Sequence, residues 1–169
     1  MYHIKGRGKN GYQFYSDEMN HEFSSRLSIE RELRNALSRG ELRVHYQPQI
    51  DRGSGRMVGV EALVRWQHAT RGLVPPNDFL DVARETGLMV AIDEFVQEQA
   101  FTDLARWREV EGCDLRLSGN LSTTQLEQET FVNRFLKRIR AARLEPTSIK
   151  VEITEDTLMQ DVEDVVPKL

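Results

Sequence analysis

The stretch GVEALVRW, residues 59–66, reads as a packed β-strand interrupted at two places. Val60, Leu63, Val64 and Trp66 suit a pleated, buried environment. Glu61 and Arg65 do not, because a charge taken out of water is costly unless it is paired or holds a metal. Two readings stand: a half-exposed strand with ordinary surface charges, or charges placed there for chemistry.

Working outward, DRGSGR (51–56) reads as a hairpin turn, and LRVHYQPQID (42–51) alternates like a strand in which Pro48 marks an edge or a bulge. Upstream, a helix is expected over about 28–39, with Ser28 as N-cap and Gly40 at the C-terminal glycine position. Ile29, Leu33, Ala36 and Leu37 share one face of it. Downstream, RGLVPPNDFLDVARETG (71–87) predicts a loop, an Asn77 N-cap and a short helix closed by Gly87. A longer helix follows over about 88–110, carrying Ile92, Phe95, Val96, Ala100, Leu104 and Trp107 at helical spacing. DLRLSGNLS (114–122) is the next strand, TTQLEQETFVNRFLKRIRAARL (123–144) one amphipathic helix, and SIKVEITE (148–155) another strand. DVEDVVPKL (161–169) reads as the start of one more helix. After the first hairpin the order is strand–helix–strand–helix–strand, which favours an α/β protein with a parallel sheet.

Residues 1–16 suggest a short helix end, a glycine-rich turn and a brief aromatic strand over Tyr12–Tyr15. Residues 17–27 read as a polar linker without periodicity. Across the 169 residues the net charge is −4 and the basic residues are scattered, so no basic stripe argues for DNA. Cys113 is the lone cysteine, which rules out an internal disulfide and fits a reducing, cytoplasmic setting. No apolar run approaches the ~18 residues of a membrane span, so no membrane contact is expected from this segment.

Three strand ends carry an oxygen donor able to bind a metal: Glu61, Asn120 and Glu152. In parallel α/β sheets the carboxyl ends of strands face the ligand. Carboxylates and an amide carbonyl are hard donors, suited to Mg²⁺, Mn²⁺ or Ca²⁺ rather than zinc. Taken singly, each has a plainer reading: Glu61 as a surface charge paired with Arg65, Asn120 as a turn or capping residue, Glu152 as one outward position of an alternating strand. Their recurrence at one topological place is what favours chemistry.

These residues resemble a known family. EALVRW (61–66) is similar to the signature of the EAL domain, the bacterial phosphodiesterase of cyclic di-GMP. YQPQID (46–51), PPNDFLDVARETGL (75–88), NLST (120–123) and EITE (152–155) stand in the family's order with similar gaps. MYHIKGRGKNGYQFY (1–15) resembles the last helix and strand of a GGDEF (diguanylate cyclase) domain. The implied division is 1–16 as a GGDEF remnant, 17–27 as linker and 28–169 as a truncated EAL domain.

The resemblance implies a (β/α)₈ TIM-type barrel with an antiparallel first strand, of which this chain supplies about the first four strands. It implies two Mg²⁺ or Mn²⁺ ions and hydrolysis of cyclic di-GMP to pGpG. Glu61, Asn120 and Glu152 match the metal ligands. Gln47, Leu63 and Arg65 match substrate contacts, Arg65 facing a phosphate. Glu155 matches a residue that steadies a later loop, counted with Glu61 and Glu152 as catalytic. The family's later aspartates, lysine and glutamate have no counterpart in these residues, so this chain alone is expected to be inactive. The alternative is a non-catalytic module that binds cyclic di-GMP or a partner protein. A partial barrel is also expected to expose two sheet edges and an apolar inner face, predicting a homodimer through the edges. Gly119, where the family has a larger residue, is expected to loosen its strand.

Overall fold

The computed structural model describes residues 17–153. Helix α1 (Asp17–Ala36) begins at Asp17 rather than at Ser28. No glycine or proline interrupts residues 17–36, so the polar run expected as a linker continues the helix instead. Ser28 is therefore no N-cap; its hydroxyl donates to Glu32 Oε1 one turn on, at 2.7 Å. Gly40, at φ 62°, closes the helix as expected, and the Glu41 N–H reaches back to the Ala36 carbonyl.

Strands β1 (Leu42–Ile50) and β2 (Met57–His68) form an antiparallel hairpin, with Glu61 opposite Gln47 and Arg65 opposite Arg43. Asp51 accepts from the Ser54 N–H and hydroxyl to close the turn, and these bonds hold its carboxyl below the usual range. Pro48 is both things expected of it: β1 is an edge strand, and the register slips between Gln49 and Ile50. The sheet runs β1-β2-β4-β5, where β4 (Arg116–Asn120) and β5 (Ile149–Glu152) lie parallel to β2. A partial, barrel-like parallel sheet with an antiparallel first strand is what the sequence implied. A short strand, β3 (Gly72–Val74), pairs antiparallel with the end of β2 and was not foreseen; three residues are too few to show a period.

Between the strands lie α2 (Leu80–Glu85), α3 (Met89–Glu111), α4 (Thr123–Leu126) and α5 (Phe131–Ala141). Asn77 caps nothing: it sits inside a 3₁₀ turn, Pro76–Asp78, and Phe79 precedes α2 without a side-chain cap. The one helix expected over 123–144 is two. A turn from the Phe131 N–H to the Gln128 carbonyl folds Phe131 back onto Leu121 and Leu126, burying all three together.

Alternation along the strands sorts the sheet into two unlike faces. Val60, Ala62 and Leu117 point to the helices and join Leu104 and Phe101 of α3 and Ile139 of α5 in one cluster. Trp66 lies on the same side, fully buried against Phe79, and donates from Nε1 to Glu41. The opposite face carries Gln47, Glu61, Ser118, Asn120 and Glu152, related by strand register. That face is polar, which corrects the expectation of an apolar inner face. Most hydrophobic positions of these strands are spent on the helix side, and Leu63 is the apolar exception between Glu61 and Arg65 on the polar face. Gly119 leaves open space where a Cβ would stand.

Candidate functional site

Asn120 and Glu152 are the last residues of β4 and β5, and they are register partners. Glu61 differs from the expectation: it is not at a strand end, because β2 runs on to His68. It stands instead near the limit of the parallel pairing with β4, which spans Gly59 to Ala62 on β2. The three donors still reach one another's neighbourhood. Asn120 Nδ2 donates to Glu61 Oε1 at 2.9 Å, and Lys150 Nζ pairs with Glu152 Oε1 at 2.9 Å. Glu61 and Glu152 are half-buried and Asn120 is exposed.

Each of the three therefore keeps one oxygen without a hydrogen-bond partner among the described residues: Glu61 Oε2, Asn120 Oδ1 and Glu152 Oε2. Hard oxygens on an open face fit Mg²⁺ or Mn²⁺. No group of three His, Cys, Asp or Glu able to hold an ion occurs among the described residues, so Asn120 is needed to complete even a three-donor set.

The three positions expected to contact substrate share this face. Gln47 lies opposite Glu61, Leu63 opposite His45, and Arg65 opposite Arg43. Arg65 does not pair with Glu61; its Nη1 donates to the Val64 carbonyl at 2.7 Å. Glu155 lies outside the described residues, as do residues 1–16 and 161–169. Two residues escaped the sequence reading. Lys150 is two positions before Glu152 and so on its face. Arg43 is the register partner of Arg65, and its Nη1 is turned back onto the Gly40 and Leu42 carbonyls at 2.5 and 2.7 Å. The signal for both was the same period-two alternation, followed across neighbouring strands.

Behind the site the β4–α4 loop is tied down. The Leu121 N–H donates to the Glu152 carbonyl at 2.9 Å, locking the end of β4 to β5. The Ser122 hydroxyl donates to Asp93 of α3 at 2.5 Å, and buried Gln97 donates to buried Gln125 at 2.8 Å. Burial pushes the Asp93 carboxyl up to about 6, against the Ser122 bonds that pull it down. On the other flank, the Ser28 hydroxyl, with His68 and Arg71 behind it, holds the half-buried Glu32 carboxyl low. These contacts fasten α1 to the far end of β2.

Comparison with known proteins gives the site its context. The EAL domain family profile matches residues 30–169. The chain is 38% identical over 163 residues to the bifunctional diguanylate cyclase/cyclic di-GMP phosphodiesterase MucR of Pseudomonas aeruginosa, covering 96% of this chain and 24% of that protein. It is 36% identical over 163 residues to the cyclic di-GMP phosphodiesterase PdeR of Escherichia coli, again covering 96% of this chain and 24% of the relative. The chain thus spans about a quarter of the length of these relatives. Among solved structures, the PaMucR phosphodiesterase in complex with c-di-GMP superposes with a TM-score of 0.77 at 36% identity, over 82% of this chain and 57% of that one. The FimX EAL domain from Pseudomonas aeruginosa bound to c-di-GMP gives 0.69 at 28% identity, over 82% and 54%. On this profile match, these identities and the shared fold, the chain belongs to the EAL domain family.

Proposed function

We propose that this chain carries part of the site of a cyclic di-GMP-specific phosphodiesterase that yields pGpG. The observation that carries the reading is the convergence of Glu61, Asn120 and Glu152 on one open sheet face, each with an unengaged oxygen. These residues would hold Mg²⁺ or Mn²⁺, which supply an activated water and neutralise charge on the phosphodiester. Arg65 binds a phosphate oxygen, and Gln47 and Leu63 orient the nucleotide beside it. Glu155 takes the loop-steadying role its motif implies.

Three side-chain donors hold an ion only with water completing the shell, and a two-ion clamp needs more protein oxygens than this face presents among the described residues. The chain alone therefore binds the nucleotide without turning it over. Two copies joined at the β1 and β5 edges would duplicate this donor set rather than complete it. Residues 1–16 are assigned to a GGDEF-type neighbour; the likeness to the bifunctional MucR, which covers 96% of the chain and so reaches upstream of residue 30, supports this. A second reading, a binding module that never cuts, is favoured by Lys150, whose ammonium already sits on Glu152 as an internal cation.

The test is incubation of the 169-residue chain with cyclic di-GMP and Mn²⁺, scored for pGpG by chromatography, with Glu61→Ala alongside. Nucleotide retained by the folded chain without product supports the proposal. Product that vanishes in Glu61→Ala would show that this face alone builds a working site. A folded chain that retains no nucleotide would remove cyclic di-GMP from the account.

A further inference from the structure

Asp93 supplies none of the three donors just described, yet it is a costly polar placement beside them. It lies in α3, only 8% exposed, with no salt bridge among the described residues and only the more distant Arg84 charge to favour its anion. A buried carboxylate left without a cation costs several kcal/mol, and an apolar side chain would pack there without penalty. What Asp93 does hold is Ser122, through the hydroxyl at 2.5 Å and through the backbone N–H.

Ser122 opens α4 and lies two residues after Asn120. The Gln125 and Leu126 N–H groups both donate to the Ser122 carbonyl, so fixing Ser122 fixes the first turn of that helix. On the other side, Leu121 is pinned by its N–H to Glu152 and by its buried side chain. The peptide carrying Asn120 is thus held between one anchor on β5 and one on α3. The Asp93–Ser122 and Asn120–Glu61 bonds are linked by the short stretch of backbone through Leu121.

We infer that Asp93 is a positioning residue for Asn120, clamping the β4–α4 loop so that the carboxamide stays over the same face as Glu61 and Glu152. The inference rests on the reading of Asn120 as a metal donor, and it extends that reading to a residue in the helix layer. Groups that orient a ligand from behind commonly contribute 10- to 100-fold to metal affinity.

The experiment measures Mn²⁺ binding by loss of the free-ion electron paramagnetic resonance signal. It compares the wild-type chain with Asp93→Ala, Asp93→Asn and Ile139→Val, the last a mild core variant remote from the loop. Asp93→Ala is expected to weaken binding by roughly 10-fold. Asp93→Asn, whose carboxamide oxygen can still accept from Ser122, is expected to restore it to within about twofold of wild type. Ile139→Val should leave affinity unchanged although it loses stability. Asp93→Ala binding Mn²⁺ as tightly as wild type would overturn the inference. Should the wild-type chain hold no Mn²⁺, the reading of the donors fails, and hydrogen exchange of the Leu121 amide still decides the clamp. Exchange accelerated in Asp93→Ala beyond what its measured global stability accounts for supports the clamp; exchange that only tracks global stability, as in a core variant of equal stability, refutes it.

Discussion

Replacing Asp93 by asparagine should stabilise the protein, and only where the aspartate would be charged. Burial raises the folded-state carboxyl from 3.8 to about 6. That displacement corresponds to about 3 kcal/mol at 1.36 kcal/mol per pKa unit. The sign follows from proton binding. Between about pH 4 and 6 the native state holds the proton that the unfolded state has released, so stability falls as pH rises through this window. Below about pH 4 both states are protonated and the penalty vanishes; above about pH 6 it is fully present. Urea unfolding of the wild type and Asp93→Asn at a series of pH values isolates the effect, because other carboxylates cancel in the difference. The variant is expected to be more stable by up to about 3 kcal/mol near neutral pH, with the gap closing toward about pH 4. A gap that does not change with pH, or one that widens on acidification, would refute the account of Asp93 as a buried, uncompensated acid.

Other expectations follow from particular contacts. Tyr46 donates to Asp103 Oδ2 at 2.7 Å, and burial with that carboxylate raises its phenol well above the usual range; Tyr46→Phe should cost about 1–2 kcal/mol in urea unfolding. The two strand glycines should respond oppositely. A Cβ on Gly59 would stand 2.8 Å from the Arg116 carbonyl, whereas one on Gly119 meets nothing within 4 Å. Gly59→Ala should therefore lower the melting temperature, while Gly119→Ala should raise stability by about 0.5 kcal/mol. Arg43→Ala, which removes the arginine paired in register with Arg65, should weaken cyclic di-GMP binding roughly 10-fold and flatten its salt dependence, and the loss of its bonds to the Gly40 and Leu42 carbonyls should slightly destabilise the free chain.

The architecture was legible because hydrophobic periods switch cleanly between 2 and 3.6 along the chain. The hairpin through Pro48 and Gly55, the long α3 and the parallel strands β4 and β5 all stand where those patterns put them. The errors arose where tertiary contacts overrode local signals. Ser28 looks like a cap, yet its hydroxyl is drawn into the Glu32–His68–Arg71 cluster that seats α1 on β2. Residues 123–144 keep a helical period throughout, but burying Phe131 with Leu121 and Leu126 requires a break that periodicity does not encode. At the site, residue types and strand alternation were enough to bring Glu61, Asn120 and Glu152 to one face. The Asn120–Glu61 bond, the Lys150 counter-charge and the Asp93–Ser122 clamp depend on which strands and helices become neighbours, and no local stretch of sequence shows that.

The central claim is that the three oxygens on the open face hold a divalent ion through which cyclic di-GMP is recognised. Calorimetric titration of the wild-type chain and Glu61→Gln with cyclic di-GMP, each with Mn²⁺ and with chelator, tests it most directly. The account predicts Mn²⁺-dependent binding to the wild type and loss of the Mn²⁺ enhancement in the variant. Equal binding by both proteins, with or without the ion, would contradict it.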